Sequence, residues 1–304
     1  MFTSTEYQLL DFGDARRLER FGALTLDRPC PAAEGAHRAH PDAWQNVDGQ
    51  YERSDGDRSD GDRSDGDRSD GDRSDGDRGR WFSLGHLPEQ WTVSHGPITF
   101  ELQCTPAGHL GLFPEQAANW DWIAEQVGRR GPCKVLNLFA YTGGSTLAAA
   151  AVGAKVVHVD AAQNTVRWAR RNAERSGMGE KPVRWIAEDA VKFVHRELKR
   201  GNRYEAVILD PPSYGHGPRG EVWQTSKQLT DLLAMCGELT AERRHFILLT
   251  CHTPGFDPGR LKRIAIEAFG NDGGTIVARE LTIHSVTGRE LPSGVVLRWE
   301  SIKP

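Results

Sequence analysis

From Lys134 to Thr250 the chain alternates short apolar runs with amphipathic segments, and that alternation constrains its fold more than any other feature. Residues 135–139, 155–159, 183–186, 206–209 and 246–250 have the length and β-branched content of buried strands. Residues 145–152, 162–176, 190–200, 224–239 and 258–269 read as helices between and after them. Strands that alternate with helices pair in parallel and need both sheet faces covered. Residues 275–283 and 295–299 follow without an intervening helix and predict a terminal antiparallel hairpin. The expected architecture is therefore a doubly wound, mostly parallel seven-stranded α/β sheet. A further helix over residues 114–129 places Trp120, Ile123 and Val127 at helical spacing, so Trp120 and its neighbour Trp122 are expected in the core rather than stacked on a base.

Ahead of this lies a different texture. Residues 7–10, 23–26, 91–93 and 98–102 are short strand-like runs. His95-Gly96-Pro97 makes one turn, and 11–20 is a polar connector. They predict a small β-rich unit over residues 1–107, followed by a larger domain over 108–304. The pentapeptide Ser-Asp-Gly-Asp-Arg interrupts that unit, repeated five times from Ser54 to Arg78. It contains no apolar residue and cannot offset the entropy of ordering its backbone, which predicts a disordered acidic loop. A calcium loop is excluded, since no glutamate stands at the twelfth position and every copy carries an arginine.

Each copy holds two aspartates and one arginine, so the block contributes −5 and leaves the rest of the chain at +1 within a total of −4. That near-neutral remainder disfavours a pure nucleic-acid-binding module. Arg16, Arg17 and Arg20 are expected on a solvated surface. The five cysteines are scattered and odd in number, without metal-ligand spacing, and read as free thiols of a reducing cytoplasm. No apolar run suits a bilayer, and residues 1–6 lack a signal-peptide pattern. The expectation is a cytoplasmic protein with neither metal nor membrane partner, a homodimer being left open.

Four segments at successive strand ends carry chemistry. Asn137-Leu138-Phe139-Ala140-Tyr141-Thr142-Gly143-Gly144 follows the first sheet strand, where glycines allow a tight turn and close approach to a ligand. It matches neither the dinucleotide fingerprint nor the phosphate loop, which counts against a nicotinamide-dependent oxidoreductase and against ATP. Asp160 ends the next strand, where a carboxylate either accepts from ribose hydroxyls or caps the following helix. Glu188 and Asp189 end the third strand, suited to an adenine amino group or again to capping. Asp210-Pro211-Pro212-Ser213-Tyr214-Gly215-His216 follows the fourth. Its prolines fix a rigid turn presenting carbonyls and Asp210, and Tyr214 is suited to stack on a flat substrate.

Taken together, Phe-Ala-Tyr-Thr-Gly-Gly, Val-Asp, Glu-Asp-Ala and Asp-Pro-Pro-Ser-Tyr resemble motifs I to IV of class I S-adenosylmethionine-dependent methyltransferases, a Rossmann-like fold. The resemblance runs from about residue 110 to 299. It is closest to the branch of large-subunit rRNA cytosine-5 methyltransferases, although the PUA domain common there is not evident. Gly111 to Gln116 resembles the loop laid over the methionine end of the cofactor. The resemblance implies S-adenosylmethionine as cofactor, held by Phe113, Gln116, Asn137, Phe139, Ala140, Tyr141, Thr142, Gly143, Gly144, Asp160, Glu188, Asp189 and Asp210. Pro211, Pro212, Tyr214 and His216 would meet the substrate, an RNA and by preference rRNA.

Thr250-Cys251-His252, after the fifth strand, resembles the Ser/Thr-Cys-Ser segment of that branch. Carbon 5 of cytosine is a poor nucleophile, and a thiolate adding to carbon 6 activates it. Cys251 is then the expected nucleophile, with Asp210 assisting, unless it is a buried structural thiol. Residues adjacent in extended chain point opposite ways, so His252 need not touch it. The competing acceptor is an amino group, because Asp-Pro-Pro-x-Tyr also resembles the motif of amino-methyltransferases, which need no thiol.

Overall fold

The computed structural model describes residues 2–53, 79–83, 85, 87–217, 220–270 and 273–302. The pentapeptide repeat expected to be disordered lies outside these described residues. The chain enters through a five-stranded sheet of β1 (Tyr7–Gly13), β2 (Arg16–Phe21), β3 (Leu24–Pro29), β4 (Gly49–Arg53) and β5 (Gly79–Ser83), in that order. All its pairs are antiparallel except β3 with β4. A separate hairpin, β6 (Trp91–His95) and β7 (Ile98–Leu102), turns at Gly96 as expected.

The polar connector expected over 11–20 is instead strand. Asp14 and Ala15 both adopt positive φ, the geometry of a two-residue hairpin turn, and the chain returns as β2. Of the arginines expected on a solvated surface, Arg16 and Arg17 are drawn into ion pairs and Arg20 into hydrogen bonds with Ser4 and Gln8. Glu19 is fully buried and accepts from Arg28 Nε at 2.9 Å and from the Tyr7 hydroxyl at 3.0 Å, with Arg17 Nε at 3.1 Å. Arg16 reaches Asp27 at 2.6 Å, and Arg20 donates to the Ser4 carbonyl at 2.8 Å. The reason is position: β2 lies inside the sheet, where a charge persists only when paired and hydrogen-bonded.

The rest follows the expected alternation. After α1 (Ala117–Arg130) come β8 (Lys134–Leu138), α2 (Gly144–Ala151), β9 (Lys155–Asp160), α3 (Gln163–Arg175), β10 (Val183–Ala187), α4 (Ala190–Lys199) and β11 (Ala206–Leu209). A short hairpin not foreseen from the sequence, β12 (Tyr214–His216) and β13 (Val222–Gln224), precedes α5 (Thr225–Thr240), β14 (Phe246–Cys251) and α6 (Pro258–Phe269). The antiparallel hairpin β15 (Gly274–His284) and β16 (Glu290–Ser301) closes the chain, as expected. The seven strands run in the order β10-β9-β8-β11-β14-β16-β15. β8, β9, β10, β11 and β14 are parallel, and β16 runs antiparallel to β14.

Each strand divides its side chains between two cores. Val135, Val156, Ile208 and Leu248 pack with Trp120, Leu147 and Ala173 from α1, α2 and α3. Leu136, Val157, Val207 and Leu249 pack with Phe193, Leu232 and Leu261 from α4, α5 and α6. The first core continues into the N-terminal sheet through Tyr7, Leu9, Phe12 and Phe21. Polar ties join the same parts. Arg171 and Arg175 of α3 hold Glu101 of β7 at 2.8 and 2.7 Å, and Arg289 reaches Asp11 at 2.8 Å. Among the described residues no helix is long and apolar enough to cross a membrane.

Glu19→Ala leaves Arg17 and Arg28 without their buried counter-charge. It is expected to lower the unfolding free energy by about 3–5 kcal/mol in urea denaturation, with Glu19→Gln costing less.

Candidate functional site

The chain order of the sheet reverses between β8 and β11, and the loops at the carboxyl ends of these strands diverge there to leave a crevice. The crevice is a cavity of about 660 Å³. Phe113, Phe139, Tyr141, Asp160, Asp189, Asp210, Pro211 and Pro212 line it, all expected from the sequence. Gln116, Asn137, Ala140, Thr142, Gly143 and Gly144 surround a recess of about 40 Å³ that shares Phe113, Phe139, Tyr141 and Asp210 with the cavity.

The turn after β8 rests on unusual backbone. Phe139 and Tyr141 sit at φ 54° and 50°, a left-handed conformation that bulky residues rarely take, and Gly143 at 93°. Such residues cost roughly 1–3 kcal/mol each and persist only where neighbours over-determine them. Here the Tyr141 N–H donates to the Asp160 carboxylate at 2.9 Å, and the Ala140 N–H to the Val159 carbonyl at 3.1 Å. Both rings face the cavity, Tyr141 5.1 Å from Phe113 and Phe139 4.9 Å from Trp223. Gly144 serves packing, since a Cβ there would lie 2.7 Å from the Trp120 indole. Trp120 itself is buried, as expected.

Asn137 and Thr142, expected to touch the cofactor, turn their polar atoms inward. Asn137 Nδ2 donates to Thr146 Oγ1 at 2.9 Å, and that hydroxyl meets His158 Nδ1 at 2.9 Å. Burial lowers His158 to about 3, so it stays neutral. The Thr142 hydroxyl donates to the Gly111 carbonyl at 2.7 Å and pins the segment carrying Phe113. Both residues brace the loop from behind.

The acidic groups divide by role. Asp160 accepts one backbone N–H on each oxygen, from Tyr141 at 2.9 Å and Ala162 at 3.0 Å. Burial raises its pKa against those two bonds. It does not cap α3, whose N-cap position is Ala162. Asp189 does cap α4, accepting the Lys192 N–H at 2.9 Å, while also bordering the cavity. Glu188, expected at the adenine end, is instead drawn aside into an ion pair with Arg196 and is not among the lining residues.

Asp210 is held from three sides. The Thr250 hydroxyl donates to Oδ1, Gln116 Nε2 donates to Oδ2 at 3.0 Å, and His252 Nε2 stands 3.3 Å from Oδ1. Gln116 is fixed in turn, donating to Thr250 Oγ1 at 3.2 Å and accepting from Asn119 at 2.8 Å. In this structure Gln116 therefore positions Asp210 rather than facing the cavity. Burial alone would depress His252. The Asp210 carboxylate, helped by Glu115 and a hydrogen bond to the Ser293 backbone, outweighs it and raises the imidazole to about 9.

Cys251, expected beside the cofactor, faces the other way. It is the last residue of β14, and the pleat sends its side chain to the opposite sheet face from Thr250. It is 1% exposed, in the core cluster of Leu249, Phe256 and Leu297, and is not among the cavity-lining residues. Burial pushes its thiol above the ordinary value despite hydrogen bonding to Thr253. The pleat puts His252 into the cavity in its place.

The β12–β13 hairpin forms one rim. Gly215 and Gly217 line the cavity, whereas Tyr214 is 53% exposed and not among the lining residues. The side chain of His216 lies outside the described residues. The Pro212 carbonyl, expected to be presented to a ligand, is taken by Trp223 Nε1 at 2.8 Å and the Thr225 hydroxyl at 2.7 Å. Sequence reasoning missed His109, Glu115, Trp223 and His252, all of which line the cavity. Only His252 carried a usable signal: if adjacent residues alternate, either it or Cys251 faces the site, not both.

A family model described as S-adenosylmethionine-dependent methyltransferase matches residues 71–247. The crystal structure of a SAM-dependent methyltransferase from Agrobacterium tumefaciens aligns with a TM-score of 0.87 and 33% identity, over 99% of this chain and 92% of that one. Ribosomal RNA large subunit methyltransferase I of Aeromonas salmonicida is 33% identical over 109 residues, 35% of this chain and 27% of its own length. Ribosomal RNA large subunit methyltransferase K/L of Magnetococcus marinus is 32% identical over 126 residues, 41% of this chain and 17% of its own length. The chain thus matches about a quarter or less of the length of these two curated relatives.

The raised His252 value has a thermodynamic consequence. An imidazole lifted from 6.5 to about 9 on folding adds stability that is fully present below pH 6.5 and lost as pH rises through 9. His252→Gln should therefore cost about 1 kcal/mol at pH 6, discounted because the side chain is about one-third exposed, and nothing at pH 10. Urea midpoints of the two proteins across that range measure it, and a pH-independent gap would refute the pairing.

Proposed function

The chain belongs to the S-adenosylmethionine-dependent methyltransferase family, and from that premise we propose that it methylates an amino nitrogen of a nucleobase in RNA, without a covalent enzyme adduct. S-adenosylmethionine supplies an electrophilic methyl group on a positively charged sulfur. The residues present suit it. A volume of about 660 Å³ is in the range of cofactor pockets, and the lining combines aromatic walls with three carboxylates, Asp160, Asp189 and Asp210. Each Asp160 oxygen keeps a lone pair beyond its backbone N–H, open to ribose hydroxyls. Asp189 is assigned to the adenine end, and Phe113, Phe139 and Tyr141 to the walls around the adenosyl group.

The acceptor reading rests on one observation: Asp210 lines the cavity in a fixed orientation while the thiol of Cys251 is sealed in the core behind the sheet. A carboxylate held in this way accepts a hydrogen bond from an amino group and aligns its nitrogen for in-line attack, which is most of what such a transfer requires. Exposed Tyr214, on the rim hairpin, is assigned to stack on the same base. RNA is favoured as the acceptor because both curated relatives carry ribosomal RNA large subunit in their names. On this reading residues 108–304 hold the chemistry and 1–107 buttress it.

Two measurements test the reading. Asp160→Ala should weaken S-adenosylmethionine binding at least about tenfold by calorimetry, the loss of one or more hydrogen bonds to a charged group. With total RNA and tritiated cofactor, Cys251→Ala should keep most of the wild-type transfer, and the label should appear on a nucleobase amino group. A covalent adduct with 5-fluorocytidine RNA that Cys251→Ala abolishes would instead establish carbon 5 of cytosine as the acceptor.

A further inference from the structure

His252 has no part in the site as read from the sequence, yet it is built into it. Its ring lines the cavity, and its Nε2 stands 3.3 Å from Asp210 Oδ1. Gly294 of β16 makes room for it: a Cβ there would lie 2.8 Å from His252 Nδ1 and 2.7 Å from the Cys251 carbonyl. The charged groups acting on the ring are Asp210, on the loop after β11, and Glu115, ahead of α1. From β16 comes the Ser293 backbone, and just before the histidine, at the end of β14, sit the buried Cys251 thiol and Thr250.

We propose that His252 is the proton-holding residue of this site: it gives up a proton when the cofactor's sulfonium binds beside Asp210, and takes one up when the acceptor nitrogen is methylated. This rests on the cofactor reading of the cavity. Two cations beside one carboxylate disfavour each other, so the imidazolium that Asp210 stabilises becomes easier to deprotonate once a positive sulfur is near. Methylation of an amino nitrogen forms a nitrogen–carbon bond and breaks the carbon–sulfur bond, whose electron pair stays on sulfur as a neutral thioether. The nitrogen must lose one proton, and neutral His252 accepts it at Nε2, where Asp210 then stabilises the imidazolium. The proton lost to solvent on loading is thus replaced in turnover by the one the acceptor nitrogen gives up.

The test needs no acceptor. Calorimetry of the full chain is run with S-adenosylmethionine and, separately, with the uncharged thioether S-adenosylhomocysteine, in buffers of different ionisation enthalpy between pH 7 and 9. Net proton release is expected with the sulfonium and not with the thioether. Preference for the sulfonium should rise with pH, by up to tenfold per unit. His252→Gln should abolish the difference while both ligands still bind, and any titration of the ligands' own amino groups persists in that variant and is subtracted. Equal proton release with both ligands, or none with either while both bind, overturns the proposal without touching the cofactor reading. Failure of both ligands to bind wild-type protein overturns the cofactor reading and this proposal with it. The comparison of the two ligands on wild-type protein decides the matter even if the variant fails to fold.

Discussion

Two neighbouring parallel strands, β11 and β14, are paired in register, Leu209 opposite Leu249, and the site follows from that pairing. One residue further along each strand, Asp210 and Thr250 point to the same face and hydrogen-bond across the gap. That contact, with Gln116 reaching in from the segment before α1, fixes the carboxylate where the crevice opens. The same pleat sends the next residue, Cys251, to the other face and into the core. A slip of one residue would exchange the two fates, placing a thiol in the crevice and a threonine in the core. Register, rather than residue type, therefore decides which chemistry this cavity can carry.

The strained turn after β8 depends on the same framework. Phe139 and Tyr141 hold left-handed conformations because the Asp160 carboxylate and the Val159 carbonyl fasten the turn to the adjacent strand. Behind it, Asn137, Thr146 and His158 form a buried polar chain, and Thr142 ties the turn to Gly111. The N-terminal sheet contributes at longer range. It shares a core with α1, α2 and α3, and its Asp11 is tied to Arg289 in the turn between β15 and β16. Through that shared packing the segment bearing Phe113, Glu115 and Gln116 is clamped between the α/β sheet and the small β unit.

Much of the fold was legible because hydrophobic periodicity is local. The parallel strands and the helices between and after them fell within a residue or two of their expected bounds, whereas α1 starts three residues later than expected and β16 of the closing hairpin starts five residues earlier. Where periodicity was weak the reading failed. The stretch 11–20 has too many charges to resemble a strand, yet Arg16 and Glu19 enter one because their charges are paired with Asp27 and Arg28 of the next strand, and Arg17 pairs with Glu19 beside it. Pairing of that kind leaves no local trace. The β12–β13 hairpin was missed for a similar reason, since Trp223 is secured by Pro212 and Phe139, eleven and more residues away.

By itself the sequence determined the strand–helix alternation, and with it a doubly wound sheet whose carboxyl ends carry Asp160, Asp189 and Asp210 in a row. Those conclusions need only short-range spacing, because apolar periodicity and turn residues act over a few positions. Tertiary structure alone decided that Gln116 braces Asp210, that Glu188 turns away to Arg196, and that His252 rather than Cys251 faces the crevice. Each of these depends on which face of the sheet a side chain meets and on partners far along the chain. Only the folded register brings them together.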